Sequence, residues 1–163
     1  MSKEFHDLFV AELRDVYSAE SQILKALPKM VKAAQNKELK KAFSDHLAAT
    51  KVHVERLNGI FASHGVAKKG KACKGMEGLL AEGAEAIAEG QPGAVKDAAL
   101  IAAVQRVEHY EMAAYGCLRA FAKALGDLDT ARILQATLDE EGDADRLLSQ
   151  IAEFAVNLEA AAG

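Results

Sequence analysis

The sequence predicts an all-α domain built as a four-helix bundle: two antiparallel helical hairpins joined by one long crossover. Three observations carry that prediction. Apolar residues recur at three-four spacing along almost the whole chain, and no stretch alternates with the period of a strand. Breakers fall at two short turns, Gln35-Asn36 and Gly126-Asp127, and at one long interruption over residues 65–93. Each hairpin also carries acids or histidines on its apolar stripe near mid-length, where a solvated surface charge has no reason to lie.

The first helix is predicted over residues 3–34, with Phe9, Leu13, Val16, Leu24, Leu27 and Val31 on one stripe. Pro28 removes one backbone donor and is expected to bend it. The second is predicted over 37–64, with Phe43, Leu47, Val54, Leu57 and Phe61 inward and Gly65 as its stop. So tight a turn at Gln35-Asn36 makes these two antiparallel neighbours. From Lys68 to Gly75 the lysines and glycines read as a solvated loop, 76–89 as a short fifth helix inside the crossover, and Gly90 to Gly93 as a breaker. Helices over 95–125 and 129–157 complete the second hairpin. Two hairpins with a single crossover have the connectivity of ferritin-like bundles, whereas an up-down-up-down bundle needs no such segment.

A chain of 163 residues, 50% hydrophobic and 27% charged, is long enough for one domain with a real core, taken here as 1–163. Its 12 Gly, 2 Pro and 2 Cys exclude a collagen-like, low-complexity or disulfide-framed protein. A formal net charge of −4 argues against a nucleic-acid partner. No apolar run approaches the roughly 20 residues of a spanning helix, and the charged N-terminal stretch is unlike a signal peptide, so no membrane partner and a cytoplasmic location are expected. Cys73 and Cys117 lack CxxC spacing and are read as reduced thiols.

The informative residues are the polar ones on the stripes. Glu20 falls at the centre of the first helix's apolar face, Glu111 lies among Val104, Val107, Tyr115 and Leu118, and Glu108 flanks it one turn earlier. Glu141 and Asp145 occupy seam positions with Leu134, Leu138, Leu148 and Ala152. His46, Thr50 and His53 interrupt the second helix slightly to one side of its apolar centre. Residues equally far from a hairpin turn lie side by side, which puts Glu20 opposite 50–53, Glu111 opposite 141–142 and Glu108 opposite Asp145. If the hairpins dock face to face, these groups converge.

A lone buried carboxylate costs several kcal/mol unless paired or neutralised, and several together repel. No Lys or Arg stands on the seams at that level, so multivalent cations are the simplest counter-charge. Carboxylates with one or two imidazoles suit iron or manganese, with zinc also possible. Two ions match five carboxylates better than one. The expected metal ligands are Glu20, His53, Glu108, Glu111, Glu141 and Asp145, with His46 read as a supporting or packing residue. Tyr17, Tyr110 and Tyr115 are read as core aromatics bonded to site carboxylates, and His6, His64 and His109 as surface or helix-end residues.

Four strings, Asp15-Val-Tyr-Ser-Ala-Glu20, Met76-Glu-Gly-Leu-Leu-Ala-Glu82, Val107-Glu-His-Tyr-Glu111 and Thr137-Leu-Asp-Glu-Glu141, resemble the YciE/YciF-like family of bacterial stress-associated proteins over most of the chain. The resemblance implies a ferritin-like bundle, often a homodimer, with a di-metal centre. Against the general ferritin-like pattern of Glu-x-x-His on two helices, this chain has Thr50-x-x-His53 and places Asp145 four residues after Glu141, which makes the site carboxylate-rich and histidine-poor. The expected function is a di-iron or di-manganese carboxylate protein of the stress response that oxidises Fe(II) with oxygen or peroxide. The alternative is a non-catalytic dimerising or partner-binding bundle with a structural metal site.

Overall fold

The computed structural model describes residues 2–163, and these form helices α1 (Lys3–Ala33), α2 (Lys37–Ser63), α3 (Lys74–Ala88), α4 (Ala94–Ala124) and α5 (Leu128–Ile151). A π turn, Ala152–Val156, carries α5 without a break into α6 (Asn157–Ala162). There is no strand among the described residues. No helix among them is long and apolar enough to cross a membrane.

Local chemistry sets the ends. Ser2, Asn36 and Asp127 cap α1, α2 and α5, each accepting a backbone N–H from the first turn with a side-chain oxygen. Gly126, at φ +78°, supplies the left-handed residue that the α4 to α5 turn requires. Asp97 does comparable work across elements: its carboxylate accepts the Gln35 N–H at 2.8 Å and the Asn36 N–H at 2.6 Å, tying the first hairpin's turn to the start of α4. His64, read from the sequence as a surface or helix-end residue, is the C-cap of α2; its side chain is only 14% exposed, lies 3.0 Å from Asp127 and packs against the ring of Phe9. Pro28 sits on the exposed side of α1, and the helix runs through it from Lys3 to Ala33.

Two apolar clusters fix the topology. One joins Phe9 and Leu13 at the start of α1 to Leu57 and Phe61 at the end of α2, Leu118 late in α4 and Leu134 early in α5. The other joins Met30, Leu39, Phe43, Leu100, Leu148 and Ile151, which belong to the opposite ends of the same four helices. Every neighbouring pair is therefore antiparallel, and the crossover must travel the length of the bundle, as its length predicts. Burying each Leu or Phe contributes about 1.5–3 kcal/mol relative to exposure. The two clusters leave a waist between them.

α3 covers that waist on the α1 and α4 side, where Cys73, Met76, Ile23, Leu27 and Val107 form a third cluster. Residues 68–72 are the exposed loop the sequence predicts, but Cys73 is buried and α3 begins at Lys74, two residues before the expected start. Cys73 is buried at the N-cap of α3; its N–H donates to the Ser18 hydroxyl at 2.9 Å, and the Gln22 amide donates to its carbonyl at 3.1 Å. Gly75 permits close approach to α4, since a Cβ there would stand 2.7 Å from the Tyr110 ring.

The seam registers also differ from expectation. In α1, Ile23 and Met30 are buried with Glu20, while Leu24 and Val31 are half-buried. In α2 the buried line runs Leu39, Phe43, His46, Thr50, His53, Leu57 and Ile60, so the polar residues lie at the centre and Leu47 and Val54 at the flank. The docking of the two hairpins selects one heptad line, and the large apolar residues one position away serve its edges.

Candidate metal centre

At the waist, α1 presents Glu20, α2 His46 and His53, α4 Glu108 and Glu111, and α5 Glu141, all buried. Their donor atoms fall into two groups. One atom each from His46, Glu108, Glu111 and Glu141 lie within 4.8 Å of one another, as do atoms from Glu20, His53 and Glu141. Glu141 belongs to both groups and stands between them.

The contacts have the character of an unfinished polyhedron. His46 Nε2 lies 3.2 Å from Glu108 Oε1 and 3.8 Å from Glu141 Oε2, while His53 Nδ1 lies 2.9 Å from Glu141 Oε1 and 3.3 Å from Glu20 Oε1. None of these pairs aligns as a hydrogen bond: His46 Nε2, His53 Nδ1, Glu20 Oε2 and both oxygens of Glu108, Glu111 and Glu141 are buried with no hydrogen-bond partner. Leaving such atoms unpaired costs about 1–3 kcal/mol each, and more for charged groups. So many together could be satisfied by a metal ion in the space they face or, without one, by protons on the carboxylates.

Around them the structure is well tied. The Tyr115 hydroxyl donates to Glu20 Oε1 at 2.5 Å. His53 Nε2 meets Glu140 Oε2 at 2.8 Å, and Glu140 is itself gripped by both Arg56 terminal nitrogens at 2.7 and 2.8 Å. With Nε2–H donated to Glu140, the lone pair of His53 Nδ1 points at Glu20 and Glu141. A carboxylate behind the imidazole is the usual device for orienting a metal-ligating histidine.

Electrostatics describe the same demand. Burial pushes Glu108 and Glu111 well above the ordinary carboxylate range, with Glu141 and Glu20 adding to the rise. Glu20 is raised by burial too. Burial opposes the charged form of His53, but the carboxylates of Glu141 and Glu20 beside it outweigh burial and push the imidazole up to about 10. Glu141 is held low against its burial by His53 and His46. Without a metal, protons stand where the carboxylates ask for positive charge.

Of the six expected ligands, Glu20, His53, Glu108, Glu111 and Glu141 converge, and Asp145 does not. Asp145 Oδ1 accepts from the Gln105 amide at 3.1 Å, and Oδ2 lies 3.3 Å from the exposed His109. The buried line of α5 runs Leu134, Thr137, Glu141 and Leu148, so the seam position after Glu141 is Ala144 and Asp145 turns toward α4. His46, expected to support or pack, is instead a member of the first group. Its signal in the sequence was its spacing, one heptad before His53. Thr50 is buried but donates its hydroxyl to the His46 carbonyl at 2.9 Å. Of the tyrosines only Tyr115 bonds a site carboxylate; Tyr110 donates to Asp15 at 3.1 Å, and Tyr17 packs on Phe61. Glu140 gave no signal, since it is 41% exposed and carries no seam periodicity.

The donor set fits a metal pair. Four carboxylates and two imidazoles balance two divalent cations, and among the described residues no Lys or Arg pairs with any of the four.

Known proteins place the chain among relatives. The family described as Domain of unknown function (DUF892) matches residues 4–161. Protein YciF of Escherichia coli (strain K12) is 42% identical over 159 residues, covering 97% of this chain and 96% of that protein. The crystal structure of the E. coli stress protein YciF superposes with a TM-score of 0.91 at 41% identity, over 96% of this chain and 99% of that one. YcfI from Rhodopseudomonas palustris gives a TM-score of 0.87 at 40% identity, over 93% and 99%.

Proposed function

The chain belongs to the DUF892 family, and from that premise and the geometry of its waist we propose that it is a stress-associated di-metal carboxylate protein. The observation that carries the reading is the set of buried, unpartnered donor atoms on Glu20, His46, His53, Glu108, Glu111 and Glu141. His46, Glu108, Glu111 and Glu141 would hold one ion, and Glu20, His53 and Glu141 would hold the other. Tyr115 fixes the Glu20 carboxylate, and the Arg56 and Glu140 pair fixes the His53 ring. Iron, the first choice over manganese and zinc, supplies oxidation of Fe(II) by oxygen or peroxide when bound. Binding displaces the protons that burial places on Glu108 and Glu111, so the chain itself couples metal uptake to proton release.

Kinship with a protein described as a stress protein supports the stress association. A homodimer in the cytoplasm completes the proposal. Phe154 and Leu158, one turn apart and exposed at 76% and 65%, offer the face for it, and sedimentation of the Phe154→Glu variant as a monomer is the expected result.

Elemental analysis and anaerobic Fe(II) titration test the centre. Binding that saturates near two equivalents supports it, and no binding defeats it. Replacing Glu20 and Glu141 with Ala separates chemistry from a structural clamp: loss of Fe(II) oxidation in a folded protein supports chemistry, and loss of folding alone supports the clamp.

A further inference from the structure

We propose that the cleft between α2 and α5 binds a small uncharged molecule with an apolar body and a hydroxyl end, seated with that end against Glu108 and His46. The proposal deepens the metal-centre reading and rests on it for what lies at the floor of the cleft. The cavity itself is a property of the protein chain.

The cavity measures about 270 Å³. An engineered apolar cavity of about 150 Å³ holds benzene, so this one has room for a larger ring or a short aliphatic chain. A helix about 10–12 Å across does not fit. Ala42 and Ala49 on α2 and Ala144 on α5 reach into this space with no more than a methyl group, which leaves it open. Ala144 stands three residues after Glu141, where the Glu-x-x-His pattern places a histidine. The room left by that absent ring opens beside the metal centre.

Walls and floor define the occupant. Phe43, Val104 and Leu148 make the sides apolar, while the floor carries His46 and Glu108, each more than nine-tenths buried with side-chain atoms lacking a hydrogen-bond partner. A metal ion would need only one of the two unpartnered Glu108 oxygens, so a hydroxyl can donate to the other, and an apolar body matches the walls. An anion loses its water against apolar walls and meets the carboxyl of Glu108 with no free cation beside it. Nor is the cleft shaped as an ion funnel. The acids at its mouth are each paired, Asp45 with Lys41, Asp143 with Arg146 and Glu140 with Arg56. On the opposite side of His46 and Glu108, beneath α3, only about 10 Å³ is free, roughly one water. The α2 and α5 side is the one with space for an organic molecule.

Titration of the chelator-stripped protein with 1-hexanol, followed by alanine-methyl NMR, reads the site without any metal. Saturable shifts at Ala42, Ala49 and Ala144, with at least tenfold weaker binding of hexanoate, are expected. Ala49→Phe fills the cavity from its wall and should abolish the shifts while circular dichroism stays helical; Ala144→Leu should do the same if the first variant misfolds. No saturable binding, or binding unchanged in a folded variant, overturns the proposal, and hexanoate binding as tightly as hexanol overturns the orientation. Co(II) titration of the same samples reports separately on the metal centre: no Co(II) uptake removes that reading while the hexanol result stands.

Discussion

Glu140 governs what His53 can do, although it belongs to neither donor group. By accepting from Nε2 at 2.8 Å it leaves Nδ1 free to ligate, and Arg56 locks it in place. Glu140→Gln retains the shape and weakens the acceptor, so metal affinity should fall about 10–100-fold with little change in fold, measured by competition with a chelator of known affinity. A second prediction concerns pH. In the metal-free protein Glu108 and Glu111 are raised by burial, and His53 is raised to about 10 from an ordinary 6.5 by Glu141 and Glu20 against its burial. A raised group contributes stability in full below its unfolded value and loses it as pH climbs toward the folded one. His46 and Glu141 are shifted down, and the unfolded chain has nearly finished releasing their protons by about pH 8, so between about pH 8 and about pH 10 only the raised groups act. Melts of the stripped protein should show Tm falling across that window, less steeply in His53→Gln, and a flat or rising Tm defeats the account.

At the scale of elements, Asp97 ties the first hairpin's turn to the start of α4 by hydrogen bonds, beside the apolar contacts of that end. Its carboxylate satisfies two orphan N–H groups, and hydrogen bonds to a charged acceptor contribute about 1.5–3 kcal/mol each. Asp97→Ala should therefore destabilise by about 2–4 kcal/mol in urea melts, while the number of metal ions bound stays unchanged. Helix limits were largely legible: the turns at 35–36 and 126–127 and the crossover fall where Asn36, Gly126 and Asp127 direct them. Rotation about the helix axis was less so. In α2 and α5 the seam contains His46, Thr50, Thr137 and Gly142, so large apolar residues on the flanks bias a periodicity reading by one position. That shift displaced His46 from the expected ligands and placed Asp145 among them. The π turn at 152–156 had no signature, because an inserted residue changes the phase of a helix without altering its composition.

For the whole molecule, the polar waist between two apolar ends couples metal to stability. A ligand present at about 100 times its Kd adds roughly 2.7 kcal/mol, and a domain of this size gains about 2–4 °C per kcal/mol. Mn(II) or anaerobic Fe(II) at such an excess should raise Tm by roughly 5–10 °C, reversed by chelator, and no shift under saturating metal contradicts a preformed site. The charge balance changes as well. Glu20, Asp97, Glu108, Glu111 and Glu141 are buried, which leaves 19 of 24 acids on the surface against 20 Lys+Arg. The outer surface is close to neutral, and the net acidity is a property of the interior.

Sequence alone determined the helices, their pairing into hairpins, the need for a crossover and the depth at which acids gather, since each follows from spacing along one chain. Tertiary structure decided which of those acids share a volume. Convergence depends on the rotation of each helix against three neighbours, and a turn of 100° about an axis is enough to exchange Asp145 for Ala144 at the seam and to bring His46 inward. It also decided that Glu140 reaches His53 from the rim and that the missing ring at position 144 becomes a cavity, because both arise between α2 and α5, which are distant in sequence.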